Sequence, residues 1–323
     1  MTWLLTGGAG YIGAHVVRAL DRAGMDVVVL DDLSTGFREF LPADTPLVEA
    51  SILDTDAVRK ALTEHDVQGV IHLAALKYAG VSVDEPLDYY RTNIDGTRSV
   101  LAAMADAGVD RLVFSSSAAV YGTPDVDLVT EATATHPESP YGESKLVSEW
   151  LIADVARATG LRYTNLRYFN VVGTGGDGVY DINPYGLLPA VMKSLTDGRK
   201  PVVNGSDYPT RDGTCERDYI HVVDLAEAHV AAAQRLAEGR DLGPVYNLGR
   251  GEGATVLEVL DLVRGTSGID FEPEMAGRRP GDPARIVASA ELAAKELGWT
   301  ARFGYPEMVE TAWTTWLQVA ARR

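Results

Sequence analysis

The chain has 323 residues, of which 46% are hydrophobic and 23% charged, and its formal net charge at pH 7 is −17. This composition is typical of a globular protein with one large or two ordinary domains, and the acidic balance argues against a general nucleic-acid or anionic-membrane binder, which needs a basic face. Cys215 is the only cysteine, which excludes an intramolecular disulfide and a cysteine-based metal cluster.

The first residues contain no basic segment followed by an apolar core, as a secretory signal would. No apolar run approaches the roughly 18 residues that a membrane span requires. We therefore expect a cytoplasmic protein with no metal, nucleic-acid or membrane partner.

The first half of the chain alternates short apolar runs with helix-like stretches. Strands are predicted at residues 3–6, 27–30, 70–73, 112–115 and 161–166. Nearly continuous apolar strands joined by crossover helices predict an α/β fold, a doubly wound parallel sheet of the Rossmann type. We expect this dinucleotide-binding domain over residues 1–170 and a smaller α/β substrate lobe over 171–323, where glycine- and proline-rich loops begin. Part of 214–250 is expected to pack back on the first domain.

The segment TGGAGYIG follows the first strand and opens a helix predicted over residues 15–23. Gly8, Gly10 and Gly13 satisfy G-x-G-x-x-G, and Gly7 supplies a wider spacing as well. Glycines permit the tight turn and let a pyrophosphate approach the unpaired N–H groups of a helix N-terminus. Asp31 ends the next strand, where a carboxylate accepts from ribose hydroxyls and repels a 2′-phosphate; otherwise it is a plain turn residue. The arrangement predicts NAD rather than NADP.

Tyr141 and Lys145, in SPYGESK, stand one helical turn apart on the same face. A phenol is a poor base at pH 7, and a nearby cation lowers its pKa. The fourth strand ends in SSSAAVYG, and the carboxyl ends of parallel strands are where ligands bind, so Ser115, Ser116 and Ser117 should face the cofactor crevice. Alone, the tyrosine and lysine are more simply part of a helix surface. Together with the serines they predict a proton-abstracting Ser/Tyr/Lys site.

Six segments in order, TGGAGYIG, HLAALK, SSSAAVYG, SPYGESK, RYFN and RDYIHVVDLA, resemble the extended short-chain dehydrogenase/reductase family, and within it the nucleotide-sugar 4-epimerases. The resemblance implies an isomerase that uses NAD to epimerise a UDP-sugar at C4 through a 4-keto intermediate, with UDP-glucose and UDP-galactose as the main pair. It makes Tyr141 the general base. Lys145 would lower the pKa of that base and hold the nicotinamide ribose, and Ser117 would hydrogen-bond the reacting sugar oxygen.

The resemblance also assigns binding residues. For the cofactor they are Gly7, Gly10, Tyr11, Ile12, Gly13, Asp31, Asp32, Ser51, Ile52, Leu73, Ala74, Ala75, Lys77, Asn93, Ser115, Tyr141, Lys145 and Tyr168. For the substrate they are Lys77, Ser117, Tyr141, Asn170, Leu188, Asn204, Arg217, Arg279, Asp282 and Ile286. The two arginines would clamp the diphosphate, a bidentate role that suits guanidinium groups, although each charge alone is more simply a surface charge.

Four residues depart from the family pattern. Ser51 stands where an aspartate often contacts adenine, and Ala119 replaces a serine or threonine. Gly186 replaces an asparagine of the sugar loop, and Asn204 an aromatic residue near the uracil. These departures leave the sugar and the base open, so 4-epimerases of N-acetylhexosamines, uronic acids or pentoses remain alternatives.

Two other functions are less favoured. A 4,6-dehydratase would need an acid/base pair just after the catalytic hydroxyl, but Ala118 and Ala119 follow Ser117 and neither moves a proton. A non-catalytic NAD-sensing module would not need Tyr141 with Lys145.

The resemblance also places a gate beside the sugar at Ile286. Its intermediate size, with the volume freed by Gly186, predicts slower turnover of N-acetyl substrates; the alternative is that Ile286 is a core strand residue.

A homodimer is expected through the helices after Glu85 and Pro140. The second helix has more apolar surface than one buried face needs, which exposes it for self-association. Its apolar residues are Leu146, Val147, Trp150, Leu151 and Val155. The alternative is that both faces pack inside the subunit.

Overall fold

The computed structural model describes residues 1–181, 183, 185–279 and 282–320. The strands are β1 (Thr2–Thr6), β2 (Asp26–Asp31), β3 (Leu47–Glu49), β4 (Val67–His72), β5 (Arg111–Ser117), β6 (Arg162–Tyr168), β7 (Asn170–Val172), β8 (Val202–Asn204), β9 (Glu216–His221), β10 (Val245–Leu248), β11 (Gly253–Thr255), β12 (Glu274–Ala276) and β13 (Arg285–Ile286). The helices are α1 (Tyr11–Arg22), α2 (Thr55–Glu64), α3 (Ala79–Asp84), α4 (Pro86–Tyr89), α5 (Gly96–Ala107), α6 (Pro140–Thr159), α7 (Leu187–Thr196), α8 (Val222–Ala237), α9 (Val256–Ser267), α10 (Glu291–Glu296) and α11 (Tyr305–Ala320). No helix within these ranges is both long and apolar enough to cross a membrane.

Seven strands form one parallel sheet in the order β10-β6-β5-β4-β1-β2-β3. Side chains alternate along each strand, so Trp3 and Leu5 enter the core beneath α1 and α8, whereas Leu4 enters the core beneath α2 and α5. The sheet therefore has helices on both faces, and the predicted doubly wound α/β fold is confirmed. Because the strand order reverses beside β1, the carboxyl ends of β1 and β4 open on a crevice.

Two strands of the main sheet were not predicted from the sequence. The short β3 extends one edge by pairing with β2, and β10 extends the other edge by pairing with β6. β10 comes from far beyond residue 170, and α8 from the same region packs against α1. Runs of three or four residues carry too little periodicity to be recognised as strands without their partners. The domain boundary at residue 170 stays a prediction.

The second lobe has its own small sheets and its own core. β11, β9 and β13 lie side by side, with β7 also paired to β9, and β12 pairs with β8. Helices α7, α9 and α11 enclose a separate apolar cluster that includes Leu188, Leu260 and Trp313. Only Phe169 separates β6 of the main sheet from β7 of the small sheet, so the chain crosses between lobes beside the crevice. This crossing brings residues of the second lobe over the carboxyl ends of the main strands.

We predict that Gly69→Ala destabilises the fold and that Gly265→Ala does not. A Cβ on Gly69, in β4, would lie 2.5 Å from the fully buried Trp3 ring, which must then move at a cost of about 1–3 kcal/mol. Gly265 lies in α9, where such a Cβ would meet no neighbouring atom within 4 Å. Alanine there should raise the free energy of unfolding by about 0.5–1 kcal/mol, because alanine has the higher helix propensity. Urea unfolding of the two variants measures both changes. Equal stabilities would contradict the close approach to Trp3.

Candidate active site

A crevice of about 900 Å³ opens at the carboxyl ends of β1, β2 and β4. Most residues predicted to bind the cofactor line it: Gly7, Gly10, Tyr11, Ile12, Gly13, Asp31, Asp32, Ile52, Leu73, Ala74, Ala75, Lys77, Tyr141, Lys145 and Tyr168. Sequence reasoning missed the neighbours that complete the wall: Leu30, Ser34, Thr35, Gly36, Ala50 and Leu76. Their proximity to Asp31, Ile52 and Ala75 along the chain was the signal that could have found them.

The glycine loop has no room for a side chain at Gly7 or Gly13. Gly7 has φ +72°, and a Cβ on Gly13 would lie 2.2 Å from the Gly7 carbonyl oxygen. Gly10 is the N-cap of α1 and supplies no side-chain hydrogen bond, so the N–H groups of the first turn remain available. Unpaired N–H groups at the positive end of a helix dipole suit a pyrophosphate. The loop therefore fits a dinucleotide.

Asp31 connects the glycine loop to the crevice wall. One carboxylate oxygen accepts from the Ala9 N–H and the other from the Leu33 N–H, both at 2.9 Å. Burial raises the pKa of Asp31, and the two backbone hydrogen bonds oppose that rise. Each oxygen keeps a second lone pair, which leaves the carboxylate able to accept from ribose hydroxyls.

A second cavity, of about 1840 Å³, joins the first. Its walls include these residues predicted to bind substrate: Lys77, Ser117, Tyr141, Asn170, Leu188, Asn204, Arg217, Arg279 and Asp282. Sequence reasoning missed Asp181, Tyr185, Cys215 and Tyr219, which line the same space. Tyr11, Ile12, Lys77, Tyr141 and Tyr168 line both cavities. A ligand reaching this junction from either side meets the Tyr141 phenol.

Both arginines of the second cavity are held by neighbouring groups. Arg217 donates to the Pro283 carbonyl at 2.6 Å and lies 3.5 Å from the Asp282 carboxylate. With its amide oxygen turned toward Arg279, Asn204 accepts from Nε at 3.2 Å and from Nη2 at 3.1 Å. The guanidinium groups are therefore oriented in advance on the cavity wall.

Helix α6 positions the Tyr141 and Lys145 side chains. It begins at Ser139, whose hydroxyl accepts from the Gly142 N–H at 3.2 Å, and Pro140 occupies the first turn. The one-turn spacing places both side chains on the buried face, as predicted. Tyr141 and Ser117 line the same cavity, and Lys145 Nζ donates to the Ser115 carbonyl at 2.8 Å. The Ser/Tyr/Lys grouping expected from the motifs is thus assembled in space.

Burial dominates the ionisation of this pair. Burial raises the pKa of the Tyr141 phenol, and the neighbouring Ser117 hydroxyl opposes that rise. Burial also lowers the pKa of Lys145 to about 7, and the attraction of Glu149 opposes that fall. The expected lowering of the tyrosine pKa by the lysine is therefore not seen in the protein alone. Desolvation penalises both charged forms and outweighs the single favourable contact.

Three residues assigned to the cofactor do not line its crevice. Ser115 is fully buried with its hydroxyl 2.6 Å from His229 Nε2. Asn93 is buried too, accepting from the Leu76 N–H at 2.8 Å and donating to the Ser144 hydroxyl at 2.9 Å. The Ser51 hydroxyl accepts from a backbone N–H two residues later and stays outside the crevice wall. Ser115 and Asn93 support the residues that form the wall, and that part of the prediction is corrected.

Ser116 also departs from expectation. Its side chain is fully buried and donates to Glu149 at 2.5 Å instead of facing the crevice. Of the three serines, Ser117 alone lines the substrate cavity, because it is the last residue of β5 and lies at the carboxyl end of the strand.

Ile286 is not on the wall of the substrate cavity. It pairs with Arg217 in the small sheet and is 8% exposed. Its buried cluster includes Val120, Leu146 and Phe169. The expectation of a gate at Ile286 is corrected in favour of the alternative, a core strand residue.

Known proteins share this fold and these motifs. Residues 3–249 match the profile of the NAD dependent epimerase/dehydratase family. The UDP-glucose 4-epimerase of Corynebacterium glutamicum is 43% identical over 316 residues, which cover 97% of this chain and 95% of that protein. A structure of UDP-glucose-4-epimerase from Stenotrophomonas maltophila, with bound NAD and formylated UDP-arabinopyranose, has a TM-score of 0.95 and 40% identity over 100% of both chains. The structure of UDP-glucose 4-epimerase from Brucella ovis in complex with NAD has a TM-score of 0.93 and 38% identity, and the match covers 98% of both chains.

These likenesses extend over nearly the whole chain and confirm the resemblance inferred from the six motifs. The matched region includes the glycine loop, the serine-ended strand and the helix with Tyr141 and Lys145. The chain therefore belongs to the NAD dependent epimerase/dehydratase family.

Proposed function

We propose that this protein is an NAD-dependent isomerase that interconverts UDP-glucose and UDP-galactose by epimerisation at C4. One observation carries the proposal: Tyr141 lines both cavities where they join, and Ser117 lines the second cavity with it. A proton acceptor at such a junction serves a reaction between a cofactor in one cavity and a sugar in the other. The names of the relatives, UDP-glucose 4-epimerases throughout those cited, support the same activity.

The chain's residues divide the work as follows. The glycine loop and Asp31 hold NAD, which when bound supplies reversible hydride acceptance at the sugar carbon. Tyr141 takes the proton of the 4-hydroxyl, and Ser117 hydrogen-bonds the same oxygen. Because burial raises the pKa of Tyr141, the phenolate needs positive charge nearby; Lys145 and the bound cofactor's cation are the groups that provide it. The resulting 4-keto sugar must present its other face before it is reduced, and the large cavity gives it room.

The diphosphate of the substrate is assigned to Arg217 and Arg279. A protein of net charge −17 attracts no anion over long distance, so local donors must bind it. Both guanidinium groups line the cavity and are already oriented by their neighbours, which reduces the entropy lost on binding. The nucleoside then extends beyond them, toward Asn204.

The choice of sugar rests on the space around the cavity wall. Gly186 lines the cavity and has no side chain of its own, although Asn183 and Pro189 lie close to it. We propose the two hexoses as the main substrates, with slower turnover of the N-acetyl pair, because an apolar pocket discriminates by only about 1–3 kcal/mol per methylene. Uronic acids and pentoses are the other sugars to be compared.

The purified protein should convert UDP-galactose to UDP-glucose without added cofactor. NAD is returned unchanged in each cycle, and a closed cycle requires no exchange, so it should copurify. The test assays a panel of UDP-hexoses, N-acetylhexosamines, uronic acids and pentoses, and analyses the nucleotide released on denaturation. Release of NADP, or a higher kcat/KM for another sugar, would contradict this assignment.

Replacing Tyr141 with phenylalanine should lower kcat by about 10²–10⁴-fold, the usual effect of losing a general base. The ring keeps its packing, so bound NAD should remain at the wild-type stoichiometry. Tyr90→Phe is the matched control, because that phenol contacts Glu143 on the same helix and lines neither cavity. Near wild-type turnover in Tyr141→Phe would refute the mechanism.

We also propose a homodimer formed by the helix pair predicted from the sequence. Large apolar side chains are exposed there: Trp150 on α6 is 58% exposed, Leu87 on α4 is 79% exposed and Val83 on α3 is 62% exposed. Helices α3 and α4 both contact α6, so these side chains belong to one side of the subunit. Leu146 does not contribute, since it is buried within the chain, which corrects that part of the expectation.

Trp150→Glu should convert the dimer into a monomer, because a carboxylate would be buried at the interface without a partner. Leu128→Glu is the control, since Leu128 is 45% exposed but lies outside these helices. Sedimentation at micromolar concentration measures both. A wild-type monomer, or a dimer that survives Trp150→Glu, would reject this interface.

A further inference from the structure

The loop that follows β7, residues 173–181, packs against α1, the helix that follows the glycine loop. The Tyr11 hydroxyl donates to the Gly173 carbonyl, and the Gly175 N–H donates to His15 Nε2 at 2.8 Å. Arg18 pairs with Asp177 at 3.1 Å. Three successive turns of one helix thus hold residues 173–177, although more than 150 residues separate the two segments in the chain.

His15 is the buried member of these three contacts with no assigned role. Its side chain is 3% exposed, and Nδ1 lies 2.8 Å from the Tyr11 carbonyl oxygen, which only an Nδ1–H can satisfy. That tautomer leaves Nε2 as the acceptor for Gly175. Burial lowers the pKa of His15 to about 4, so the ring remains neutral and keeps its acceptor at neutral pH. Neither cavity is lined by His15, so it does not contact cofactor or substrate directly.

The other two contacts are less able to hold the middle of the loop. The Arg18–Asp177 pair has a carboxylate that is 70% exposed, and exposed ion pairs contribute about 0–1 kcal/mol. Tyr11 hydrogen-bonds only Gly173, although it also packs with the fully buried Val179 farther along the loop. The Thr174 N–H, beside Gly175, donates to the Thr311 hydroxyl at 3.2 Å. His15 therefore provides the buried attachment at Gly175.

The far end of the loop forms part of the substrate cavity. Asp181 lines that cavity. Burial lowers the pKa of Lys77, and the negative charge of Asp181 opposes that fall. Lys77 lines both cavities.

We propose that His15 is a positioning residue for the nucleotide sugar: by attaching residues 173–181 to the cofactor-binding helix, it holds Asp181 in place opposite Lys77 on the wall of the substrate cavity. The inference rests on the proposed function for the identity of the substrate. If His15 has this role, the shape of the substrate cavity depends on the position of α1. The connection is the hydrogen bond from the Gly175 N–H to His15 Nε2.

The test compares His15→Phe with His15→Gln. Phenylalanine fills the volume but leaves the Gly175 N–H unsatisfied, whereas the glutamine carbonyl can accept in place of Nε2. For His15→Phe we expect a KM for the UDP-sugar raised about tenfold, with kcat within about twofold, an effect of the size that one lost buried hydrogen bond produces. His15→Gln should restore most of the wild-type KM. Both variants should retain bound NAD.

Two further measurements separate the possible failures. Hydrogen exchange at the Gly175 amide should be faster in His15→Phe than in the wild type and slower again in His15→Gln. Calorimetry with UDP reports binding independently of turnover, and affinity should weaken in His15→Phe by the same factor as KM. An inactive wild type would refute the proposed function. An active wild type with unchanged KM and UDP affinity in His15→Phe, or with NAD lost and kcat reduced in parallel, would overturn the role of His15.

Discussion

A buried ion pair between Arg167 and Glu149 fixes the catalytic helix on the sheet, and the rest of the site depends on it. Arg167, in β6, donates to both carboxylate oxygens of Glu149, in α6, at 2.9 and 2.5 Å, and Ser116 donates to the same carboxylate. Both side chains are less than one-tenth exposed. Removing one partner would leave a buried charge without compensation, which is strongly destabilising. The pair therefore holds α6 in one position along the ends of β5 and β6.

The same ion pair sets the electrostatics of the reacting groups. Glu149 lies one turn beyond Lys145 on α6 and opposes the loss of charge that burial imposes on the lysine. A buried tyrosine and a buried lysine both favour their neutral forms, so the site has a proton acceptor that is inactive until positive charge is added beside it. On this account, the positively charged nicotinamide ring of bound NAD favours the phenolate form of Tyr141.

The two cavities result from the way the chain divides between two cores. The main sheet supplies the glycine loop and the serine at the end of β5, while the second lobe supplies Arg217 and Arg279. The chain crosses between lobes at Phe169, and the loop after β7 returns to α1. Substrate must therefore bind between segments that belong to different cores. Contacts such as the hydrogen bond between His15 and Gly175 connect those segments.

The sequence by itself determined what depends on spacing along the chain. The glycine loop was recognisable because three glycines and a following helix specify a local backbone. The five longer strands of the main sheet were recognisable because apolar runs specify burial. Tyr141 and Lys145 were paired correctly because four residues make one helical turn. The family motifs extended this to most residues lining the cofactor crevice and to fewer than half of those lining the second cavity.

Only the tertiary structure decided what depends on residues distant in the chain. β10 is a strand because β6 offers it an edge. Ser115 and Ile286 are buried because of the elements packed on them, and Asp181 lines the second cavity after a loop whose Gly175 N–H donates to His15. A side chain's local spacing sets the face on which it lies, but the partner covering that face comes from another part of the chain, and no local pattern encodes that partner.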